Sequence, residues 1–259
     1  MRLLAVGDVC GPAGCEYVRK KLSLLKREKN IDVVILNGEN SADGNGITKN
    51  SAEYLFSCGA DIITGGNHSL RREEVYDYLD SNPFILRPHN LPQADYGKGY
   101  CLADFGSFSV AVINLSGVIY LEKLNADNPF LCADELIDRA KNDGAKVIVV
   151  DFHAEATSEK RALGLYLDGK VSALFGTHTH VQTADEQILP GGTGYITDLG
   201  MTGPKNSVLG VKSEIIINRL KSKDQSKFVF ADGECMLCGC IFDIDTHSGK
   251  TLNVERVLI

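Results

Sequence analysis

Long apolar runs are missing from this sequence. None approaches the roughly 20 residues that a helix needs to cross a bilayer, and the apolar run before Asp8 is too short for a secretory leader. Positive charge is scarce as well: 27 lysines and arginines stand against 34 aspartates and glutamates, a formal charge of −7. A nucleic-acid coat or a binder of anionic membranes needs the opposite balance, so both are excluded. No linker rich in Pro, Ser or Gly divides the chain, and it has no internal repeat or low-complexity tract. The 259 residues are therefore expected to form one domain, 1–259. The eight cysteines are scattered and lack secretory context, which points to reduced thiols in a cytoplasmic protein.

Apolar residues at 44% and charged residues at 24% are enough to build and solvate a real core. Short apolar runs at 3–6, 33–36, 62–64, 147–150 and 173–175 alternate with stretches of helical period at 17–29, 51–58, 74–79 and 133–140. That alternation predicts parallel strands joined by crossover helices, an α/β fold. Residues 100–104 and 107–114 flank a glycine turn and read as a hairpin. Segments 228–230, 235–243 and 251–259 read as a C-terminal antiparallel meander, so the sheets are expected to be mixed.

Metal-ligand chemistry gathers at the ends of the apolar runs. The first leads into Asp8, the second into Glu39 and Asn40, the third into Asn67 and His68, the fourth into His153, and the fifth into His178 and His180. Open α/β sheets place their sites at such carboxyl ends. Four of the six histidines belong to this set. His178 and His180 are two apart, so on an extended backbone their rings share a face and could serve two adjacent metals, one each. Imidazole, carboxylate and amide without thiolate favour iron, manganese or zinc. Two divalent ions against the two carboxylates would leave a surplus of about two positive charges, which suits a phosphate ester and answers the acidic balance of the chain. A metal-activated hydroxide would then be the nucleophile. If the segment is extended, Asn67 and His68 point apart. Asn67 is then assigned to metal and His68 to proton donation, with an extra ligand or a purely orienting group as the other readings of His68.

Weaker signals have competing readings. Asp151 and Asp198 are candidates to orient ligand imidazoles, Asp198 alternatively bonding loop amides. Residues 157–160 open a helix whose amides could hold phosphate or could simply be capped. Arg87 and Lys160 are either phosphate contacts or solvated charge. Cys235, Cys238 and Cys240 hint at zinc but lack a second ligand pair, so buried thiols are expected.

GDVCG at 7–11, NGENSADGNG at 37–46, GGNH at 65–68, DFHAEATSEK at 151–160, GTHTHVQTAD at 176–185 and TDLGMTGP at 197–204 together resemble the YmdB family of bacterial metallophosphoesterases, nearly end to end. The resemblance implies a calcineurin-like sandwich of mixed β-sheets flanked by helices. It implies two metal ions, iron or manganese with zinc the weaker alternative, and hydrolysis of phosphodiesters that include 2′,3′-cyclic nucleotides. It implies Asp8, Glu39, Asn40, Asn67, His153, His178 and His180 as ligands, with Glu39 bridging, and His68 as proton donor. Asn40 enters only through the resemblance, since spacing alone leaves it as easily a loop residue. The sequence lacks an Asp-x-His at its first strand and carries Glu39 where broader metallophosphoesterases use Asp, both marks of this subfamily. A nucleotide phosphodiester substrate, short RNA ends as a further candidate, no membrane contact and a homo-oligomeric assembly complete the expectation. A phosphomonoesterase on the same site, or a regulatory phosphate-binding protein with structural metals, are the alternatives.

Overall fold

Leu3 and Ala5 face one apolar cluster while Leu4 and Val6 face another, and this two-residue period sets the layering of the chain. The computed structural model describes residues 1–92, 95–222 and 226–259. Its strands are β1 (Arg2–Val6), β2 (Asp8–Val9), β3 (Val33–Asn37), β4 (Ile62–Thr64), β5 (Tyr100–Asp104), β6 (Ser109–Ser116), β7 (Val147–His153), β8 (Ala173–Thr177), β9 (Gln187–Ile188), β10 (Gly194–Ile196), β11 (Met201–Pro204), β12 (Cys235–Ile244) and β13 (Thr251–Leu258). The helices are α1 (Gly11–Glu28), α2 (Lys49–Ser57), α3 (Tyr76–Ser81), α4 (Pro129–Asn142), α5 (Thr157–Tyr166) and α6 (Ser213–Ser222).

The strands form two mixed sheets. The first runs β2-β11-β12-β1-β3-β4, with β13 paired to β12; the second runs β5-β6-β7-β8-β10-β9. Parallel pairing joins β1 to β3 and β3 to β4 in one sheet, and β6, β7, β8 and β10 in succession in the other. Between the sheets lie Leu3, Ala5, Val33 and Ile35 against Val110, Val112, Val149 and Phe175. On the outer face of the first sheet, Leu4, Val6, Val34 and Leu36 pack on Val18 and Leu22 of α1 and Leu55 of α2. On the outer face of the second, Ile113, Ile148 and Val150 pack on Leu136 and Ile137 of α4 and Leu163 of α5. The result is a helix–sheet–sheet–helix sandwich whose central strands are apolar on both faces, as parallel strands covered twice must be.

Local chemistry fits these elements. α1 begins with Pro12 in its first turn and ends with Lys26 and Arg27 against the helix dipole. A capping box between Thr48 and Ser51 starts α2. The expected α/β alternation and the hairpin of β5 and β6 are present. The C-terminal meander is present in part, since β12 and β13 pair antiparallel as expected. Residues 228–230 form no strand, only a bridge between Val211 and Phe230. β12 instead inserts between β11 and β1, and β13 follows it.

Phe242 is fully buried between the sheets, its ring 6.2 Å from that of Phe175. Phe242→Ala is expected to lower unfolding free energy by about 3–5 kcal/mol, read as a fall in the urea midpoint at unchanged slope; an unmoved midpoint contradicts this packing.

Candidate active site

The polar residues collect where strands of both sheets end. β1 passes through Gly7 into Asp8, β3 runs into Glu39 and Asn40, and β4 runs into Asn67 and His68; β7 ends on His153 and β8 leads into His178 and His180. Register aligns these ends: Leu36 sits beside Val6 on one side and Ile63 on the other, and His153 beside Thr177. All eight candidate residues therefore reach one edge of the sandwich. Six of them, Glu39, Asn40, Asn67, His68, His178 and His180, line a cavity of ≈ 340 Å³, while Asp8 and His153 are fully buried beside His180 and His178. Gly66 is the close approach that permits this, because a Cβ there would collide with Glu39 Oε2 and His153 Nε2.

His153 is the meeting point of one half. Its Nε2 lies 2.9 Å from Asn67 Oδ1, 3.0 Å from His178 Nδ1 and 3.2 Å from Glu39 Oε1. A single N–H can serve one of these partners well, not three. Ligand atoms of Glu39, His153 and His178 all fall within 4.8 Å of one another. The other half gathers around His180, whose Nε2 lies 3.5 Å from Asp8 Oδ1 and 3.4 Å from Asn40 Nδ2. Glu39 joins the halves, accepting from Asn40 Nδ2 at 3.1 Å and from the His68 amide at 2.8 Å.

Among the described residues, buried Asp8 Oδ1 accepts no close hydrogen bond, and its neighbour His180 Nε2 stands off at 3.5 Å. A buried anionic oxygen with so distant a donor is costly, and a cation is its natural complement. Asp8 Oδ1, the crowded lone pairs at His153 and an all-nitrogen-and-oxygen donor set fit divalent metal ions. No lysine or arginine lines the cavity among the described residues, so the side chains supply no other fixed positive charge for phosphate.

Charge is balanced locally. Burial opposes ionisation of Asp8 and Glu39, but the imidazoles of His180 and His153 more than offset it, so both carboxyls are held below the ordinary range. Burial also works against protonated His153, and Glu39 reverses it, raising that imidazole. His178 is half-buried beside His153, and desolvation with that neighbour's charge pushes it down to about 3. Burial lowers His68 too, with Glu39 opposing.

Behind His153 runs a relay. Thr177 Oγ1 donates to Asp151 Oδ1 at 2.7 Å and lies 2.9 Å from His153 Nδ1. With its proton committed to Asp151, the hydroxyl can only accept from Nδ1–H. Nε2 is thereby turned into the cluster as a lone-pair donor. Asp151 thus orients His153 through Thr177 and not by direct contact.

The backbone carrying His178 and His180 is not extended. Their φ values are +99° and +62°, in a region that side chains rarely adopt. Their rings accordingly diverge, His178 toward His153 and Glu155, His180 toward Asp8 and Asn40. Asn67 and His68 sit in a turn, so their side chains meet at 3.3 Å instead of pointing apart. The loop is pinned from below by a buried ion pair. Lys160 Nζ lies 2.6 Å from Asp198 Oδ2, which also accepts from the Thr179 amide at 3.2 Å. Lys160 is therefore neither a phosphate contact nor a solvated charge, and Asp198 bonds loop amides. Arg87 is likewise buried, donating to the carbonyls of Tyr96 and Pro88. Cys238 and Cys240 are buried thiols, and Cys235 is half-buried.

Glu155 was not singled out by the sequence, yet its Oε2 lies 3.0 Å from His178 Nε2. Its position two residues after His153 was the available signal. Thr177, too, was missed, as was the sulfur of Cys10, 3.6 Å from His180 Nδ1.

Removing one member of a buried pair strands the other. Lys160→Met is expected to cost about 3–5 kcal/mol of stability and to speed hydrogen exchange at the Thr179 amide; exchange as slow as in the wild type contradicts the pinning role.

With the site in view, its relatives can be placed. The family model of YmdB-like proteins matches residues 4–257. The 2′,3′-cyclic-nucleotide 2′-phosphodiesterase of Bacillus subtilis (strain 168) is 47% identical over 259 residues, which is 100% of this chain and 97% of that protein. The crystal structure of a phosphatase of Mycoplasma pneumoniae superposes with a TM-score of 0.94 at 33% identity, covering 100% of this chain and 93% of that one. A 5′-nucleotidase precursor from Thermus thermophilus shares the fold alone, with a TM-score of 0.61 at 13% identity over 100% of this chain and 54% of that one. The architecture is thus that of the calcineurin-like phosphoesterases and nucleotidases, and the chain belongs to the YmdB-like protein family.

Proposed function

We propose that this chain is a metal-dependent phosphodiesterase acting on nucleotide phosphodiesters, 2′,3′-cyclic nucleotides among them. The observation that carries the reading is the cluster of Asp8, Glu39, Asn40, Asn67, His153, His178 and His180, buried at Asp8, Glu39, Asn40 and His153 and half-buried at the rest, with Asp8 Oδ1 left without a close hydrogen-bond donor among the described residues. The name of the Bacillus subtilis relative, at 47% identity, supports the substrate class. No lysine or arginine is among the described side chains that line the cavity, which supports metal as the attractor of phosphate.

Asn67 Oδ1, His153 Nε2, His178 Nδ1 and Glu39 would hold one ion; Asp8 Oδ1, His180 Nε2, Asn40 and the shared Glu39 would hold the other. Iron or manganese suits this donor set. When bound, such ions supply Lewis acidity toward phosphate oxygens and lower the pKa of coordinated water. The chain's residues do the rest. Thr177 and Asp151 keep the His153 lone pair aimed inward. His68 borders the cavity beside Asn67, which supports the reading that it delivers a proton to the leaving oxygen. Burial disfavours its imidazolium, so the negative charge of bound substrate must raise the imidazole's affinity for the proton it donates, and water returns that proton after product leaves. The reading extends to residues 1–259 working as one domain, in a reducing cytoplasm consistent with eight unpaired thiols. It extends also to a homo-oligomer, in which a second copy would cover the exposed Leu252 and Leu258 of β13.

Parallel assays on a cyclic nucleotide, bis-p-nitrophenyl phosphate and p-nitrophenyl phosphate test the class: the diesters are expected to be preferred, and a preference for the monoester would replace the reading with a phosphomonoesterase. His68→Ala is expected to retain its metal while turnover falls roughly 100-fold or more; elemental analysis showing lost metal would instead make His68 a ligand. Asp8→Ala and His180→Ala are expected to lose metal. Thr177→Val should weaken manganese binding about 10- to 100-fold by calorimetry, with Thr177→Ser restoring it; unchanged affinity in the valine variant would show that the relay is idle.

A further inference from the structure

The cavity that receives the polar cluster has a second wall of different chemistry. Leu209, Val211, Ile216, Phe228 and Phe230 line it, and all come from the excursion between β11 and β12. That excursion covers little of its own apolar surface. α6 has no buried residue, and Leu209 is 46% exposed and Phe228 54% exposed. Single exposed apolar residues are ordinary, but several on one segment, facing a site that binds something else, mark a surface kept for a ligand. Phosphate has no use for such a wall. The part of a nucleotide that does is its base.

The wall is also tied to the polar side. The Phe230 ring lies over Gly11, whose φ is +61° and where a Cβ would collide with the ring; Gly11 in turn donates its amide to Asn40 O at 2.8 Å. Phe228 carries the Arg219 guanidinium 4.3 Å from its ring centroid, and Arg219 Nη1 donates to Ser226 O at 3.1 Å. The aromatic rings and the imidazoles of His178 and His180 therefore line the same cavity, and the wall meets the cluster where Leu209 O lies 3.1 Å from His180 Nδ1. A cavity of ≈ 340 Å³ is in the range of small-ligand sites.

Resting on the phosphodiesterase reading, we propose that this wall is the base subsite: the nucleoside of the substrate lies with its base against Phe228 and Phe230 while its phosphate faces the polar cluster. Among the described residues, the five side chains that form the wall offer apolar and aromatic faces and no hydrogen-bonding group. Recognition is then by stacking, which every base can supply, so the enzyme accepts all four nucleobases and favours purines by their larger area.

The test compares kcat/KM for 2′,3′-cyclic AMP with that for glycerol 1,2-cyclic phosphate, which has the reacting group and no base. The wild type is expected to prefer the nucleotide at least tenfold. Phe228→Ala should shrink that ratio about tenfold, through the KM for the nucleotide, and Phe228→Tyr should restore it. An unchanged ratio in Phe228→Ala, or an equal loss on both substrates, overturns the proposal. Failure of the phosphodiesterase reading shows separately, as manganese-loaded protein that cleaves neither compound. In that case adenosine binding, followed by saturation-transfer NMR, reads the wall directly: binding in the wild type that Phe228→Ala abolishes supports it, and no binding overturns it.

Discussion

Two carboxylates placed out of reach of water are the constraint on which the rest of this molecule depends. Asp8 and Glu39 are at most 1% exposed, and among the described residues Asp8 Oδ1 receives no close hydrogen bond, with His180 Nε2 at 3.5 Å. Buried charges persist in proteins when they are paired or when they coordinate metal. Here the neighbours are imidazoles and amides, not lysine or arginine, so the compensation they offer is lone pairs for a cation as much as protons for an anion. The fold makes the arrangement possible. Two sheets packed face to face, each with parallel strands ending at the same edge, bring residues more than a hundred positions apart to within about one hydrogen bond of each other.

Around that constraint, the chain spends its other buried polar groups on orientation. Thr177 and Asp151 settle which nitrogen of His153 faces inward. The Lys160–Asp198 pair holds the turn in which His178 and His180 both take positive φ. Strain of this kind costs of order 1–3 kcal/mol per residue and survives only where the surroundings over-determine it. The strained turn has a visible consequence: it separates the two rings, so that one joins the His153 half of the cluster and the other the Asp8 half.

Much of this could be read from residues alone, for a physical reason. Strand periodicity and the polar residue that terminates each apolar run are local signals, and parallel topology converts them into a cluster without further information. Other features depend on contacts that no local pattern carries. The insertion of β12 between β11 and β1 is long-range antiparallel pairing, so segment 228–230 looked like a strand of a meander but forms only a bridge. The positive φ of His178 and His180 is imposed by the loop's anchors, and an extended backbone was the natural expectation for a T-H-T-H segment. Lys160 resembled a surface charge because its partner Asp198 lies 38 residues away. Glu155 and the apolar wall escaped notice because each gains its meaning only from what it faces.

The central claim is that this edge of the sandwich is built around metal ions. Anomalous diffraction at the iron and manganese edges, from crystals of protein purified without chelator, tests it most directly. The account predicts two anomalous peaks per chain inside the cluster, one among Asn67, His153 and His178 and one between Asp8 and His180, with Glu39 reaching both. A cluster without anomalous signal in protein supplied with these metals, or peaks confined to another part of the surface, would contradict it.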